Sequence, residues 1–299
     1  MARYRIAWRG RQESRELCRF FDLIRAVGYV INGLRSSSLF EGAHMYFKGH
    51  ARRPDKDHLI ALSHARHGDR LRGLRAVPQP PSWDSRALGL VGPVKDQAQC
   101  GSCWDFSGTG CVEVAYNKAG IGGGAGVFVL SEEYTLSCYR NGQCDGDDNT
   151  TVLDWAKAHG LPLTADYGPY KAAPGTCLYK HKMRLHKIDD WGFADGSGSP
   201  GVSATPDIKS AIMQYGAVGC AVAADDAFQA YTGGVFQSTQ SDPSQIDHDV
   251  MIVGWNDADG AWILRNTWGT SWGEAGYMRI AYGANLVGTE SVWAEKHPT

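Results

Sequence analysis

The hydrophobic pattern of this chain changes its period part-way along, and this change limits the folds that it can adopt. Apolar residues recur at helical spacing in three segments, at 102–119, 151–159 and 205–216. Further along they form short runs between Gly, Asn and Asp turns, at 249–255, 261–265 and 276–282. Helices followed by strands predict an α+β fold with a helical part, a strand-rich part and a cleft between them.

A proline-rich break, PQPP at 78–81, divides the chain, and we predict an amino-terminal segment at 1–79 and a main domain at 80–299. Residues 1–77 contain 16 Lys/Arg against 7 Asp/Glu, while the whole chain has a net charge of -2. A basic segment can dock on an acidic body, and acid would loosen that docking as carboxylates protonate. The alternative is a disordered basic tail. A nucleic-acid-binding arm is disfavoured because no aromatic-basic motif accompanies the charge.

Neither a membrane span nor a secretion signal is visible. No run of about 18 apolar residues occurs, so we predict no transmembrane helix. The stretch at 20–31 is apolar but interrupted by charges, and predicts an amphipathic helix. The first ten residues lack the apolar core of a signal peptide.

Three segments carry side chains suited to nucleophilic catalysis: QAQCGSCWDFS at 97–107, DHDVMIVGW at 247–255 and WILRNTWGTSWGE at 262–274. Cys103 stands at the predicted start of a helix, where the helix dipole favours a thiolate. His248 could accept the thiol proton and later protonate a leaving amine. Asn266 could orient the imidazole, and Gln97 could donate to an oxyanion.

Taken together, these motifs resemble the papain family of cysteine proteases, and the resemblance covers roughly residues 80–296. It implies a papain-like fold of two subdomains, with a helical left part, a β-barrel-like right part and an active-site cleft between them. It also implies that Cys103 is the nucleophile, His248 the base and acid, Asn266 the orienting amide and Gln97 an oxyanion donor. We expect a monomer that cleaves proteins or peptides, needs no cofactor or metal, and binds neither nucleic acid nor membrane.

The resemblance further implies the residues that bind substrate, namely Gly146, Asp147, Asp148, Asn149, Ala221, Asp247, Trp268 and Val292. Trp268 would shield the contact between the catalytic histidine and asparagine from water. Acidic residues at 147 and 148 could favour a basic or polar substrate side chain in the second specificity pocket. A pocket floor of Ala221 and Val292 would favour an aliphatic one. The interval 144–177 contains no long insertion that could block the cleft, which favours endopeptidase activity.

The chain has eight cysteines, and their spacing alone leaves two readings. Cys100, Cys103, Cys138 and Cys144 could bind a structural zinc ion. The resemblance instead implies the disulfides Cys100–Cys144 and Cys138–Cys177, and disulfides favour a lysosomal, vacuolar or extracellular setting. Of the three cysteines left over besides the nucleophile, Cys111 and Cys220 are predicted to be buried, and Cys18 lies in the amino-terminal segment.

Three carboxylates depart from the family pattern: Asp105, Asp147 and Asp249. An ionised carboxylate near Cys103 would raise the pKa of the thiol, whereas one near His248 would favour imidazolium. Two functions therefore stay open. The first is a thiol endopeptidase made as a zymogen, with residues 1–77 as its inhibitor. The second is an inactive homologue that acts as a binding protein.

Overall fold

The computed structural model describes residues 46–121, 128–139, 141–178, 183–195 and 201–298. The predicted helix at 20–31 and Cys18 lie outside these residues. The described residues belong to one compact unit that begins at Met45.

The helices, in chain order, are α1 (Lys56–Arg75), α2 (Cys103–Lys118), α3 (Glu132–Cys138), α4 (Asn149–Ala158), α5 (Thr164–Tyr167), α6 (Thr205–Tyr215) and α7 (Asp226–Gln229). The strands are β1 (Ser82–Asp84), β2 (Asp190–Phe193), β3 (Val218–Val222), β4 (Val235–Phe236), β5 (His248–Asn256), β6 (Ala261–Arg265), β7 (Tyr277–Ala281) and β8 (Thr289–Glu295). Short 3-10 turns occur at Gln143–Asp145, Pro243–Gln245 and Ala284–Leu286. The mixed content agrees with the predicted α+β class.

Helix α2 is the central helix, and nearly all of its residues are buried. It packs against α4 and β5 in a core with Trp104, Leu130 and Val152. Two glycines allow this close approach. A Cβ atom at Gly108 would lie 2.6 Å from the Cβ of Val152, and one at Gly110 would lie 2.3 Å from the Sδ of Met251. The close packing fixes the start of α2, and with it the position of Cys103.

The strands form one sheet with the order β2-β8-β3-β5-β6-β7-β4, and β1 pairs with β5. The β4–β7 pair is parallel and the others are antiparallel. A second core, rich in tryptophan, lies against this sheet. In the β5–β6 pair Met251 lies opposite Arg265, so His248 and Asn266 fall at the same end of the two strands.

The predicted helices and strands in the main domain agree with the structure to within about three residues. Ala204 is the N-cap of α6, which begins at Thr205. Helix α1 was not predicted. Its buried face carries Lys56, Ser63 and His67 beside Ile60 and Leu71, so its 3.6-residue period is formed largely by polar side chains. None of the described helices is long and apolar enough to cross a membrane.

Candidate active site

Cys103 is the first residue of α2 and its side chain is fully buried. Its sulfur accepts a hydrogen bond from the backbone N–H of Gly49 at 3.2 Å. The amino end of a helix stabilises negative charge, so the position suits a thiolate. In the described state, however, the sulfur is in contact with Gly49 of the stretch 46–56, which we call the cleft segment.

His248 and Asn266 are in contact and both are buried. The Nε2 atom of His248 donates to the Oδ1 atom of Asn266 at 2.8 Å. The same oxygen accepts the backbone N–H of Thr267 at 2.8 Å, which fixes the amide orientation. Because Nε2 then carries the proton, Nδ1 is left as the basic nitrogen. Nδ1 has no hydrogen-bond partner among the described residues.

Trp268 stacks on the imidazole of His248, with ring centroids 4.5 Å apart and planes 22° apart. This is the shielding arrangement that the resemblance implied. Trp268 also contacts the cleft segment. Tyr46 stacks on Trp268, with ring centroids 4.5 Å apart. The indole N–H of Trp268 donates to the carbonyl of Phe47 at 3.1 Å.

Gln97 is buried and held by two hydrogen bonds. Its Oε1 accepts from the hydroxyl of Thr267 at 2.5 Å, and its Nε2 donates to the carbonyl of Cys100 at 2.8 Å. The residue therefore joins the loop before Cys103 to the loop after Asn266. An amide nitrogen carries two N–H groups, so one stays available as an oxyanion donor.

Burial shifts the pKa values of Cys103 and His248 toward their uncharged forms. Burial raises the pKa of the Cys103 thiol far above its usual value, and the nearby Asp249 carboxylate raises it further. Burial also lowers the pKa of His248 to about 3, against the opposing effect of its hydrogen bond to Asn266. A neutral thiol is a weak nucleophile.

The backbone of the cleft segment pairs with both walls of the cleft. Gly49 accepts the backbone N–H of Asp147 at 3.0 Å, and Ala51 donates to the carbonyl of Asp147 at 2.8 Å. On the other wall, His50 donates its backbone N–H to the carbonyl of Asp247 at 3.0 Å. Two of the predicted substrate-binding positions, 147 and 247, thus bind the chain's own backbone.

Gly146 is required at its position for two reasons. Its φ is +105°, a conformation that residues with a side chain rarely adopt. A Cβ atom there would also lie 2.8 Å from the carbonyl oxygen of Gly49. Gly146, which was predicted to bind substrate, therefore allows the backbone of Gly49 to approach closely.

The remaining residues that were predicted to bind substrate are Asp148, Asn149, Ala221 and Val292. Asp148 pairs with Lys56, and Ala221 lies directly across from Asp249 in the β3–β5 pair. Asn149 is buried at the start of α4, and its side-chain nitrogen lies near Gly219 of β3. Val292 lies in the core around Trp104 and Val253 rather than with the residues that contact the segment.

The sequence analysis did not single out Glu290, the second residue of β8. Its carboxylate binds Arg52 at 2.7 Å and lies 3.6 Å from the Nζ of Lys56. The pairing of β3 with β8 shifts register by one residue here, because Gly219 lies opposite Val292 but Ala221 lies opposite Thr289. The irregularity turns the side chains of this stretch in a way that strand alternation does not reveal.

The Asp105 side chain makes its hydrogen bond within α2. Its side chain is buried and accepts the hydroxyl of Thr109 at 3.0 Å. Burial, followed by the charge of Glu132, raises the pKa of this carboxyl well above its usual value. The carboxylate that raises the pKa of Cys103 is Asp249.

Both implied disulfides are present, Cys100–Cys144 and Cys138–Cys177. They use three of the four cysteines that a zinc site would need, so the zinc alternative is wrong. Cys111 and Cys220 are free and buried, as predicted. Among the described residues no group of three His, Cys, Asp or Glu side chains is arranged to bind a metal ion.

Comparison with known proteins agrees with this geometry. A family model described as "Papain family cysteine protease" matches residues 79–295. The chain belongs to the papain family of cysteine proteases.

Relatives within the papain family come from plants and animals. The chain is 33% identical over 227 residues to "Oryzain gamma chain" of Oryza sativa subsp. japonica. The matched residues cover 73% of this chain and 59% of that protein. It is 33% identical over 224 residues to "Cathepsin L-like proteinase" of Fasciola hepatica, covering 73% and 65%. It is 35% identical over 219 residues to "Digestive cysteine proteinase 1" of Homarus americanus, covering 70% and 64%. The chain thus spans roughly three fifths of the length of these papain-family relatives.

A solved structure of the papain family has the same fold. The digestive procathepsin L 3 of the Tenebrio molitor larval midgut superposes with a TM-score of 0.65 at 29% identity, covering 74% of this chain and 71% of that one.

Proposed function

We propose that this chain is a thiol endopeptidase, made as a zymogen and inhibited by its own residues 1–77. The observation that carries the proposal is the contact of His248 with Asn266 at 2.8 Å, beneath Trp268 and beside a helix that begins at Cys103. A histidine oriented in this way has one free basic nitrogen with which to activate a thiol.

The reaction would proceed in two halves. The Cys103 thiolate attacks the carbonyl carbon of a peptide bond, and the resulting oxyanion accepts N–H groups from Gln97 and from the backbone of Cys103. Imidazolium at His248 then protonates the leaving amine, and a thioester remains on the sulfur. Water, deprotonated by His248, attacks the thioester and releases the new carboxylic acid. Asn266 keeps the imidazole in the productive tautomer.

The inhibitory role of the segment is supported by what it covers. Gly49 contacts the sulfur, and the neighbouring backbone occupies both walls of the cleft. A substrate cannot bind while these hydrogen bonds persist. The chain would have to open or be cut in order to act.

The pKa shifts limit how acid could release the segment. Burial of Asp148 is outweighed by the charges of Lys56 and His50, which lower its pKa to about 2. Because this pKa is lowered, the attraction is fully present above the usual carboxyl pKa of 3.8 and is lost progressively as pH falls toward about 2. Burial lowers the pKa of His50, but the charge and hydrogen bond of Asp249 outweigh it and raise the pKa. That attraction is fully present in acid and is lost as pH rises. Release in acid remains a prediction.

We further propose a lysosomal, vacuolar or extracellular setting. Two disulfides support it, since such bonds persist in oxidising compartments. The lobster relatives named as digestive proteinases are compatible with it.

The proposal is tested on the full chain, with a site for a sequence-specific protease inserted between Val77 and Pro78. The folded protein is cut and diluted to nanomolar concentration, so that the unlinked segment dissociates. We expect the cut chain to hydrolyse a fluorogenic peptide and the uncut chain to be much slower. The same activity in cut Cys103→Ala protein would refute the proposal.

A further inference from the structure

We propose that the second specificity pocket of this chain selects a basic substrate side chain, lysine or arginine. The selecting residues are Asp148, Asp249 and Glu290, which we call the carboxylate pocket. The inference rests on the proposed function, because it names the substrate class of that same site.

The three carboxylates converge from different elements. Asp148 is the N-cap of α4, Asp249 is the second residue of β5 and Glu290 is the second residue of β8. Their side chains are 0%, 1% and 4% exposed. Three carboxylates sheltered from water in this way require positive charge nearby.

The chain's own segment supplies that charge. The ammonium of Lys56 lies 2.6 and 2.7 Å from the two oxygens of Asp148. His50 binds Asp249 through Nδ1 at 2.9 Å, and Arg52 binds Glu290 at 2.7 Å.

All cations that the described residues place within ion-pair distance of the carboxylate pocket come from residues 50–56. When the segment leaves, the pocket loses all of these partners together. A neutral aliphatic side chain entering in their place would bury three carboxylates without a cation, which is strongly unfavourable. An ammonium or guanidinium group would replace Lys56.

The pocket has hydrogen-bonding capacity beyond what the segment uses. The Oδ1 oxygen of Asp249 is buried and accepts no hydrogen bond from any described residue. His50 occupies only the other oxygen of that carboxylate. A guanidinium group has five N–H donors and could bind several of these oxygens at once.

The position of the pocket along the cleft indicates which substrate residue enters it. Gly49 lies at the sulfur, and the next residue of the segment, His50, places its side chain against Asp249. The pocket therefore receives the side chain next to the residue at the thiol.

The wall beside the pocket suits the aliphatic stem of a long basic side chain. A cavity of about 540 Å³ adjoins His50, Arg52 and Glu290. Its other lining residues include the apolar side chains of Val202, Pro243, Ile246 and Leu286. Lysine and arginine bury their methylene groups on such surfaces while the charged end finds its partner.

The test uses the full chain with the protease site after Val77, cut and diluted as above. Active sites are first counted by titration with an epoxysuccinyl inhibitor. The kcat/KM is then measured on dipeptidyl coumarin amides with arginine at the cleaved position and arginine, lysine, leucine or phenylalanine before it. We expect the two basic residues to exceed leucine and phenylalanine by at least about tenfold.

Variants identify the residues responsible. Glu290→Gln should lower kcat/KM for the arginine–arginine substrate by at least about tenfold, while the leucine–arginine substrate changes little. Asp148→Asn should act in the same direction, and asparagine preserves the N-cap of α4. Asp189→Asn removes a carboxylate whose partner is Lys296, outside the cleft, and should leave both substrates unchanged.

The outcomes distinguish a failure of the pocket inference from a failure of the proposed function. An enzyme that titrates fully but prefers leucine or phenylalanine, or shows no preference, overturns the pocket inference and leaves the proposed function standing. A Glu290→Gln variant that loses activity equally on all substrates also overturns it, since that residue would then have a structural role only. Absence of both titration and hydrolysis overturns the proposed function, and the pocket inference with it.

Discussion

Lys56→Met is the substitution that most directly probes how the segment is held in the cleft. Lys56 is 1% exposed, although it lies on the segment that must leave. Methionine has a similar length and no charge, so it preserves the volume while leaving Asp148 buried without its ammonium partner. We expect the segment to open far more often.

The size of the effect can be bracketed. The cations around Asp148 lower its pKa from 3.8 to about 2, which corresponds to roughly 2 kcal/mol of stabilisation. Breaking a buried ion pair by removing one partner costs up to about 5 kcal/mol. At about 1.4 kcal/mol for each factor of ten, the population of open chain should rise by about 30-fold to about 5000-fold.

The assay is the rate at which a thiol reagent modifies Cys103 in the uncut chain at neutral pH. The sulfur is fully buried, so modification requires opening, and the rate follows the open population. Arg70→Met is the matched control. It removes a cation from the same helix whose pair with Glu295 is partly exposed, and such pairs contribute at most about 1 kcal/mol.

Equal modification rates for wild type and Lys56→Met would refute this reasoning. So would an Arg70→Met variant that opens as readily as Lys56→Met. In either case the buried pair would not be what holds the segment in place.

Three further predictions follow from the same contacts. Gly49→Ala should raise the modification rate of Cys103 by about tenfold or more, because its Cβ would lie 1.9 Å from the carbonyl oxygen of Gly101; an unchanged rate would contradict the fit of the segment. Asp105→Asn should remove a pH-dependent loss of stability. A carboxyl with a raised pKa stays protonated in the fold while the unfolded chain ionises, so wild-type stability falls as pH rises above about 4, by up to about 1.4 kcal/mol per pH unit. Urea unfolding of the full chain at several pH values measures this, and parallel pH curves for the two proteins would count against it. In the cut Cys103→Ala chain, gel filtration should find the segment still bound at pH 5 and released only below about pH 3, because the pKa of Asp148 is held at about 2; release at pH 5 would show that the Lys56–Asp148 pair does not control docking.

The residues of the candidate active site could be proposed from sequence because most of them lie in short motifs. Cys103 and Gln97 lie in one short motif, and Asn266 and Trp268 lie in another. His248 lies in an apolar strand with no motif of its own. It was identified only because the other two motifs are also present. The α2 boundaries followed from apolar spacing, since this helix is buried on every side.

Helix α1 could not be predicted in the same way. Its buried positions recur at helical spacing, but Lys56, Ser63 and His67 are polar residues that usually face water. Each is buried because a partner on the main domain satisfies it; the hydroxyl of Ser63, for example, accepts the backbone N–H of Phe193 at 2.9 Å. A pattern formed by tertiary partners cannot be recognised in the segment alone.

Glu290 was missed for a different reason. Its φ is +49°, in the left-handed region, and the neighbouring register shift breaks the alternation of β8. The family resemblance points instead to Val292, which lies in the core. The local backbone therefore decides which side chain reaches the pocket.

The central claim is that Cys103 is a reactive nucleophile that the chain's own segment covers. Mass spectrometry after treatment with an epoxysuccinyl inhibitor tests it most directly, with Cys111 and Cys220 as internal controls because both are free and buried. Our account predicts one rapid, stoichiometric label on Cys103 after the chain is cut after Val77 and diluted, and little label on the uncut chain. A cut chain that stays folded and takes no label at Cys103 would contradict the account and support a binding protein that has lost catalysis.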